Sequence, residues 1–273
     1  MRRLVFVLLL IGITLGLSTT PAWTGDGKPE GPISISYHGQ SFFILTTPKG
    51  TKIAFDPHSI MDYGRMDGLE ADVACVSHNH NDHTRYQVLN VESKRKLKVL
   101  MGLKGPLLKS DWSVVDETIG DARIRNVGVY HDDQEGLQRG KNSIFIVETG
   151  GWKIAHLGDL GHLLTPAQLK RIGPVDAIMI PVGGIYTING SEAKKIVEQL
   201  KPKEYIFPMH YGTKVFDAVL PIDEFLDEQD KRKIAVLDEN VMTFNKIASR
   251  PRPLIVQLHY WPKEAAKKDE KKK

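Results

Sequence analysis

Residues 76–84 read VSHNHNDHT and place His78, His80, Asp82 and His83 within six consecutive positions. Imidazole is costly to bury unpartnered and a carboxylate more so. Because the stretch directly follows an apolar run, these groups are either a solvated loop or the donors of a metal. Alternate residues of an extended segment point to one side, so His78 and His80 can address a single point. Asp82 and His83 follow at the turn and would face a neighbouring one. Two adjacent metal sites fit this spacing better than one.

Two sites need further donors, and the chain supplies them at strand ends. His131 closes IRNVGVYH, Asp159 follows WKIAHLGD, and His210 closes EYIFPMH. Asp56, closing KIAFD before Pro57, has the same placement. Strand termini are rigid and the adjoining loops accessible, which lets a fold gather distant ligands accurately.

The elements that must position these groups are short β-type runs at 33–37, 41–46, 52–55, 73–77, 98–101, 122–130, 143–148, 152–157, 177–181, 205–208 and 254–258. Several are apolar nearly throughout, as in sheets covered on both faces. Thr165-Pro166-Ala167-Gln168 combines an N-cap, proline at the first helical position and a capping-box glutamine, predicting a helix to Ile172. Asn189 with Glu192 opens a second, stopped after Leu200 by Pro202, and 222–233 reads as a third with a charged outer face. Strand batches each followed by helices predict an α/β fold, a four-layer αββα sandwich, as one domain over 31–262.

With these donors in place the chain resembles the metallo-β-lactamase-fold hydrolase superfamily over about 33–212. The H-x-H-x-D-H motif stands at His78-Asn79-His80-Asn81-Asp82-His83. Within that superfamily, YHGQSFFIL, HLGDLGH, IPVGG and PMHYGT look most like the ascorbate-phosphate lactonase-like and N-acyl-phosphatidylethanolamine phospholipase D-like branch. The resemblance implies His78, His80 and His131 on a first metal and Asp82, His83 and His210 on a second. Asp159 would bridge them, with Asp56 behind as a hydrogen-bonding support. An all-imidazole and carboxylate set suits two divalent ions, zinc first, manganese or iron also. Water shared by metals ~3.5–4 Å apart is largely hydroxide at neutral pH and attacks carbonyl or phosphoryl centres. Asp82 would orient that nucleophile. His162, three residues after Asp159, is a candidate for protonating substrate or supporting the site, and equally a loop histidine.

Other residues carry open readings. His156 reads as a structural strand histidine, and His259 has no argument for a role. His38 and Gln40 reach the pocket rim or simply turn the chain, and His58 is a candidate for the entrance. Asn142 offers an amide to substrate or suits a turn. Gly183-Gly184 with Tyr186 is a candidate binding loop, and Tyr63 with Arg65 a candidate contact for an anionic substrate. Cys75, the one cysteine, excludes a disulfide framework and reads as a small buried residue.

Arg2 and Arg3, an apolar run at 4–17 and small residues to Ala22 predict a signal peptide over 1–22, hence a periplasmic or secreted protein, or an N-terminal anchor if uncleaved. The run is shorter than the ~18 residues of a spanning helix. Net charge is +4, but the excess sits at the two ends, so the near-neutral body does not favour nucleic acid. The Lys-rich 263–273 reads as a disordered tail, with weak contact to an anionic membrane surface as its minor alternative.

The expected activity is hydrolysis of an ester, lactone or phosphodiester in a small-molecule or lipid-like substrate outside the cytoplasm. The alternatives are a nuclease of the same fold and a non-catalytic metal-binding protein. Oligomeric state is open.

Overall fold

The computed structural model describes residues 31–64, 68–93, 95–106, 109–244 and 249–260. The expected signal peptide over 1–22, the Lys-rich stretch 263–273 and Arg65 lie outside these residues.

In chain order the elements are β1 (Ser34–Tyr37), β2 (Phe43–Thr46), β3 (Lys52–Phe55), β4 (Val73–Val76), β5 (Lys98–Met101), β6 (Leu103–Lys104), β7 (Asp111–Trp112), β8 (Asp116–Ile119), β9 (Ala122–Tyr130), β10 (Lys141–Thr149) and β11 (Trp152–His156). Then come α1 (Pro166–Ile172), β12 (Ala177–Pro181), α2 (Gly190–Leu200), β13 (Tyr205–Met209), α3 (Asp223–Leu226), β14 (Ile234–Val236), β15 (Val241–Thr243) and β16 (Leu254–Gln257). One sheet has the order β15-β1-β2-β3-β4-β5 and a second β14-β16-β13-β12-β11-β10-β9-β8.

The layering follows from alternation. In β4, Val73 and Cys75 enter the core between the sheets, where they join Phe43, Phe55, Phe145 and Phe207. Ala74, between them, faces the other way with Phe42, Ile44 and Leu89. β12 and β13 are buried at every position, as their unbroken apolar sequences require of strands covered on both faces. Their outer side packs on the helices through Ile178, Ile180, Ile196 and Phe225. The αββα order is thus present, but the outer layer on the six-stranded sheet is thin. Among the described residues it consists of the 3-10 turn Tyr86–Val88 and loop side chains.

Both capping boxes form as the sequence predicts, Thr165 with Gln168 and Asn189 with Glu192. The third helix is a correction. Only Asp223–Leu226 and a 3-10 turn at Lys231–Lys233 form in place of a helix over 222–233. Within the helix only Phe225 is buried, and no apolar residue follows Leu226 until Ile234, so continuing the helix would bury nothing. Asp230 instead caps a fresh turn through Arg232 N–H at 3.0 Å.

Strand direction brings the candidate donors to one edge. β9 and β11 both run antiparallel to β10, and β11, β12 and β13 run parallel. The residues that leave β9, β11 and β13, namely His131, Asp159 and His210, therefore emerge on the same side. β3 and β4 are parallel in the facing sheet and deliver Asp56 and His78 there. His210 N–H donates to Gln40 O at 2.8 Å, joining the sheets at this edge.

Candidate metal centre

Asp159 is the hub of the cluster. Its Oδ2 lies 3.2 Å from His83 Nε2, 3.2 Å from His210 Nε2, 3.3 Å from His131 Nε2 and 3.8 Å from His78 Nε2. Its Oδ1 accepts Ser41 Oγ–H at 3.2 Å, which fixes the carboxylate plane. His78 Nε2 and His80 Nδ1 approach to 3.1 Å. The donors form the groups His78, His80 and His131, and Asp82, His83 and His210; in each the candidate ligand atoms lie within 4.8 Å of one another.

The supports settle which nitrogens face the site. Ser77 Oγ–H donates to Asp56 Oδ2 at 2.6 Å. With its proton committed there, Ser77 Oγ accepts from His78 Nδ1–H at 2.8 Å, leaving His78 Nε2 a free lone pair. His83 Nδ1–H donates to Asp56 Oδ2 at 3.1 Å, which leaves Nε2 as the ring atom turned toward the site. Asp56, itself held by Ser77 N–H at 2.7 Å, thus sets two imidazoles at once, directly and through Ser77. Asp56 also makes a third grouping with His78 and His83, but its bonds make it a support behind them.

Electrostatics follow the same arrangement. Burial disfavours the protonated form of His78 and His80, and neighbouring imidazoles add to this, so both are held below the ordinary histidine value. Burial opposes charge on His83 also, but Asp159, Asp82 and Asp56 outweigh it and hold His83 well above that value. Asp159, despite burial, is held well below the carboxylate range by His210 and His83. Asp82 is lowered in the same sense, with His83 its strongest partner.

A divalent ion fits these residues. His83 Nε2 is fully buried without a hydrogen-bond partner while facing the Asp82 and Asp159 oxygens at 3.4 and 3.2 Å. Most buried polar atoms in proteins are paired; His83 Nε2 is one of several here that are not, and a cation between nitrogen and carboxylates would complete it. Among the described residues no sulfur joins the set: Cys75 is buried in β4 and burial pushes its thiol up. Gln40, Asp56 and His210, all at the cluster, have φ of 50°, 46° and 51°. Such backbone is uncommon outside glycine and gathers at functional sites.

The seven candidate donors converge; the other candidates divide. Gln40 is buried and its Nε2–H donates to Asp82 Oδ2 at 3.2 Å, so it supports a candidate donor from behind the cleft lining. Tyr186, 47% exposed, lines with Arg139 a cleft of about 400 Å³ over His80, Asp82, His131, Asp159 and His210. His162 stands outside the cluster. Its Nε2 accepts Tyr130 N–H at 3.0 Å and its Nδ1–H donates to Leu163 O at 2.8 Å, which leaves neither nitrogen for a substrate. His58 is buried, bonding His38 O and Gly39 O at 3.1 Å; it holds the β1–β2 turn and does not line an entrance. His38 bonds Ser36 Oγ. His156 is structural, donating to Ser41 O at 2.8 Å. Asn142 is buried in β10, its amide bound to Leu157 O at 2.9 Å. Tyr63 is buried against His58 and Phe216 and does not line the cleft. His259 stacks on Tyr260. Ser41, Ser77, Asp132 and Arg139 were not foreseen. Adjacency to His78 and His131 was the available signal for Ser77 and Asp132.

A cleft floored by imidazoles and carboxylates between two covered sheets is the architecture of a metal-dependent hydrolase. The family model described as "Beta-lactamase superfamily domain" matches residues 34–210. A UPF0173 protein of Pyrococcus furiosus is 31% identical over 220 residues, 78% of this chain and 98% of that one. A UPF0173 metal-dependent hydrolase of Thermococcus onnurineus is 30% identical over 196 residues, covering 66% and 85%. A solved structure from Thermotoga maritima, described as that of a zinc-dependent hydrolase of the metallo-β-lactamase superfamily, aligns with TM-score 0.60 at 29% identity over 83% of this chain and all of that one. The chain belongs to the metallo-β-lactamase superfamily and, within it, to the UPF0173 metal-dependent hydrolases.

Proposed function

We propose that the protein is a dinuclear hydrolase cleaving an ester, lactone or phosphodiester, with His78, His80 and His131 holding one divalent ion, Asp82, His83 and His210 the other, and Asp159 shared. The carrying observation is Asp159 Oδ2, within 3.2–3.8 Å of imidazole nitrogens from both groups. When bound, two such ions, zinc before manganese or iron for these donors, supply Lewis acidity that acidifies water and polarises a carbonyl or phosphoryl oxygen.

The protein's own groups supply orientation. Asp82 keeps 38% of its side chain exposed in the cleft, and its Oδ2 is tied to the Gln40 amide. Its carboxylate would orient the attacking water. Asp56 and Ser77 keep the imidazoles in the ligating tautomer. The narrower likeness to lactonase-like and phospholipase D-like proteins supports carbonyl or phosphodiester substrates. The near-neutral body speaks against the nuclease alternative.

Elemental analysis of the purified protein beside an Asp82→Ala His83→Ala double variant tests this reading. About two equivalents of metal are expected, with a clear fall in the variant and loss of ester and phosphodiester hydrolysis. Failure to take up metal on reconstitution would sink it. Export belongs to the same proposal, supported by Arg2, Arg3 and the apolar run before Ala22. Mass analysis of protein recovered from the extracytoplasmic fraction should find a chain starting near Trp23; an intact N-terminus in the membrane fraction would favour an anchor.

A further inference from the structure

The loop between β9 and β10 carries a cation that metal binding does not use. Asp132, next to His131, is buried and its carboxylate collects four loop amides. Gln134 and Gly136 N–H donate to Oδ1 at 2.9 and 2.8 Å, and Gln138 and Arg139 N–H to Oδ2 at 3.0 and 2.7 Å. The loop is thereby wound around one carboxylate and tied to a residue adjoining a candidate ligand. Arg139 leaves that frame toward the cleft it lines with Asp82, Asp159 and His210. Its Nη2–H donates to Ile185 O at 2.9 Å and the guanidinium lies 5.8 Å from the centre of the Tyr186 ring.

Charge makes this placement informative. Arg95, Arg123, Arg125, Arg232 and Arg252 each have a carboxylate within 4.0 Å. Arg139, like Arg85, Arg171 and Arg250, has none among the described residues, and of these four only Arg139 lines the cleft. Arginine stays protonated, and its fork of five N–H donors matches a carboxylate or phosphate. Here one N–H goes to a backbone carbonyl and another to Gln138 Oε1 at a weak 3.4 Å, so the fork keeps donors to spare. With divalent ions on the donor set, the carboxylates of Asp82 and Asp159 are already offset, and Arg139 adds surplus positive charge. A half-buried cation fixed beside other cations is best satisfied by an anion from outside.

We propose that Arg139, held by Asp132 and backed by Tyr186, grips a compact oxyanion of the substrate, so that the preferred substrates carry a carboxylate or phosphate near the scissile bond. This rests on the hydrolase reading above and deepens it. Asp132 is a positioning residue in this scheme: it acts through the loop that carries Arg139.

The test pairs esters with one leaving group, 4-nitrophenyl acetate and 4-nitrophenyl hemisuccinate, on the metal-reconstituted full chain. The wild type should favour the anionic ester by tenfold or more in kcat/KM, chiefly through KM. Arg139→Gln should bring the ratio toward unity, and Arg139→Lys, which keeps the charge without the fork, should restore part of it. Asp132→Asn should raise KM for the anionic ester more than for the neutral one. An unchanged ratio in Arg139→Gln overturns the proposal. Calorimetric titration with succinate and with methyl phosphate needs no turnover and separates the two oxyanions. At least one should bind tenfold more weakly to Arg139→Gln, and equal binding of both would overturn the proposal. If neither ester is cleaved while anion binding depends on Arg139, ester cleavage fails as the activity and Arg139 keeps its anion-binding role.

Discussion

Asp56 touches no substrate, yet it decides which imidazole nitrogens are offered to metal. Its Oδ2 receives both Ser77 Oγ and His83 Nδ1, so Asp56→Ala frees two rings at once. Chelator competition should show metal affinity lowered by about 10–100-fold, as outer supports of metal ligands typically contribute. Two neighbouring histidines make a different prediction. Burial lowers His58 to about 4 and His38 to about 3, and both are neutral in the folded protein near neutrality. Below about pH 6.5 the unfolded chain protonates them first, so stability falls as pH drops through 6.5 toward 4, by about 1.4 kcal/mol per pH unit for each. His83 works in the opposite direction: its folded value is raised, so its contribution is full below about 6.5 and lost at higher pH. Melts of the chelator-treated protein should show Tm falling from pH 7 to 4, more shallowly for His58→Gln. A flat profile would contradict the burial described.

At the scale of elements, the donors depend on close backbone contacts that only glycine permits. A Cβ at Gly161 would meet His131 backbone carbon at 2.2 Å, and one at Gly183 would meet His210 O at 2.2 Å. Gly161→Ala should cost about 1–3 kcal/mol as overpacking and lower metal retention, because the displaced backbone carries a candidate ligand. Thr165→Ala offers a contrast. Loss of its cap should cost about 1 kcal/mol and leave metal content unchanged, read by denaturant melts beside elemental analysis. These differences also mark what sequence could convey. The buried strands β12 and β13 and both capping boxes were legible because each rests on a local pattern. β8, β14 and β15 were not: β8 is an edge strand carrying Asp116 and Glu117, and β14 and β15 are edge strands of only three residues, too short to read as strands. The third helix misled for the converse reason: charged residues suited to a helix surface lacked an apolar face to hold it. The convergence of the candidate donors was legible because they stand at strand ends. Arg139 was not, because its importance comes from Asp132 folding the loop across the cleft.

For the whole molecule, the site is a seam. His78, His80, Asp82 and His83 follow a strand of the six-stranded sheet, while His131, Asp159 and His210 follow strands of the other. Each donor group draws on both. A ligand that binds only the folded state stabilises it by mass action, about 2.7 kcal/mol at a hundredfold excess over Kd. Zinc should therefore raise Tm of the chelated protein, and the gain should disappear in the Asp82→Ala His83→Ala variant.

The spread of donors from residue 78 to residue 210 also has a consequence in time. No growing or refolding chain can present a complete coordination shell until its second sheet has closed on the first. Metal uptake is then a clock for the last step of folding. In stopped-flow refolding with a fluorescent zinc indicator, the rate of uptake should level off as zinc is raised and match the rate at which the core between the sheets becomes protected from exchange.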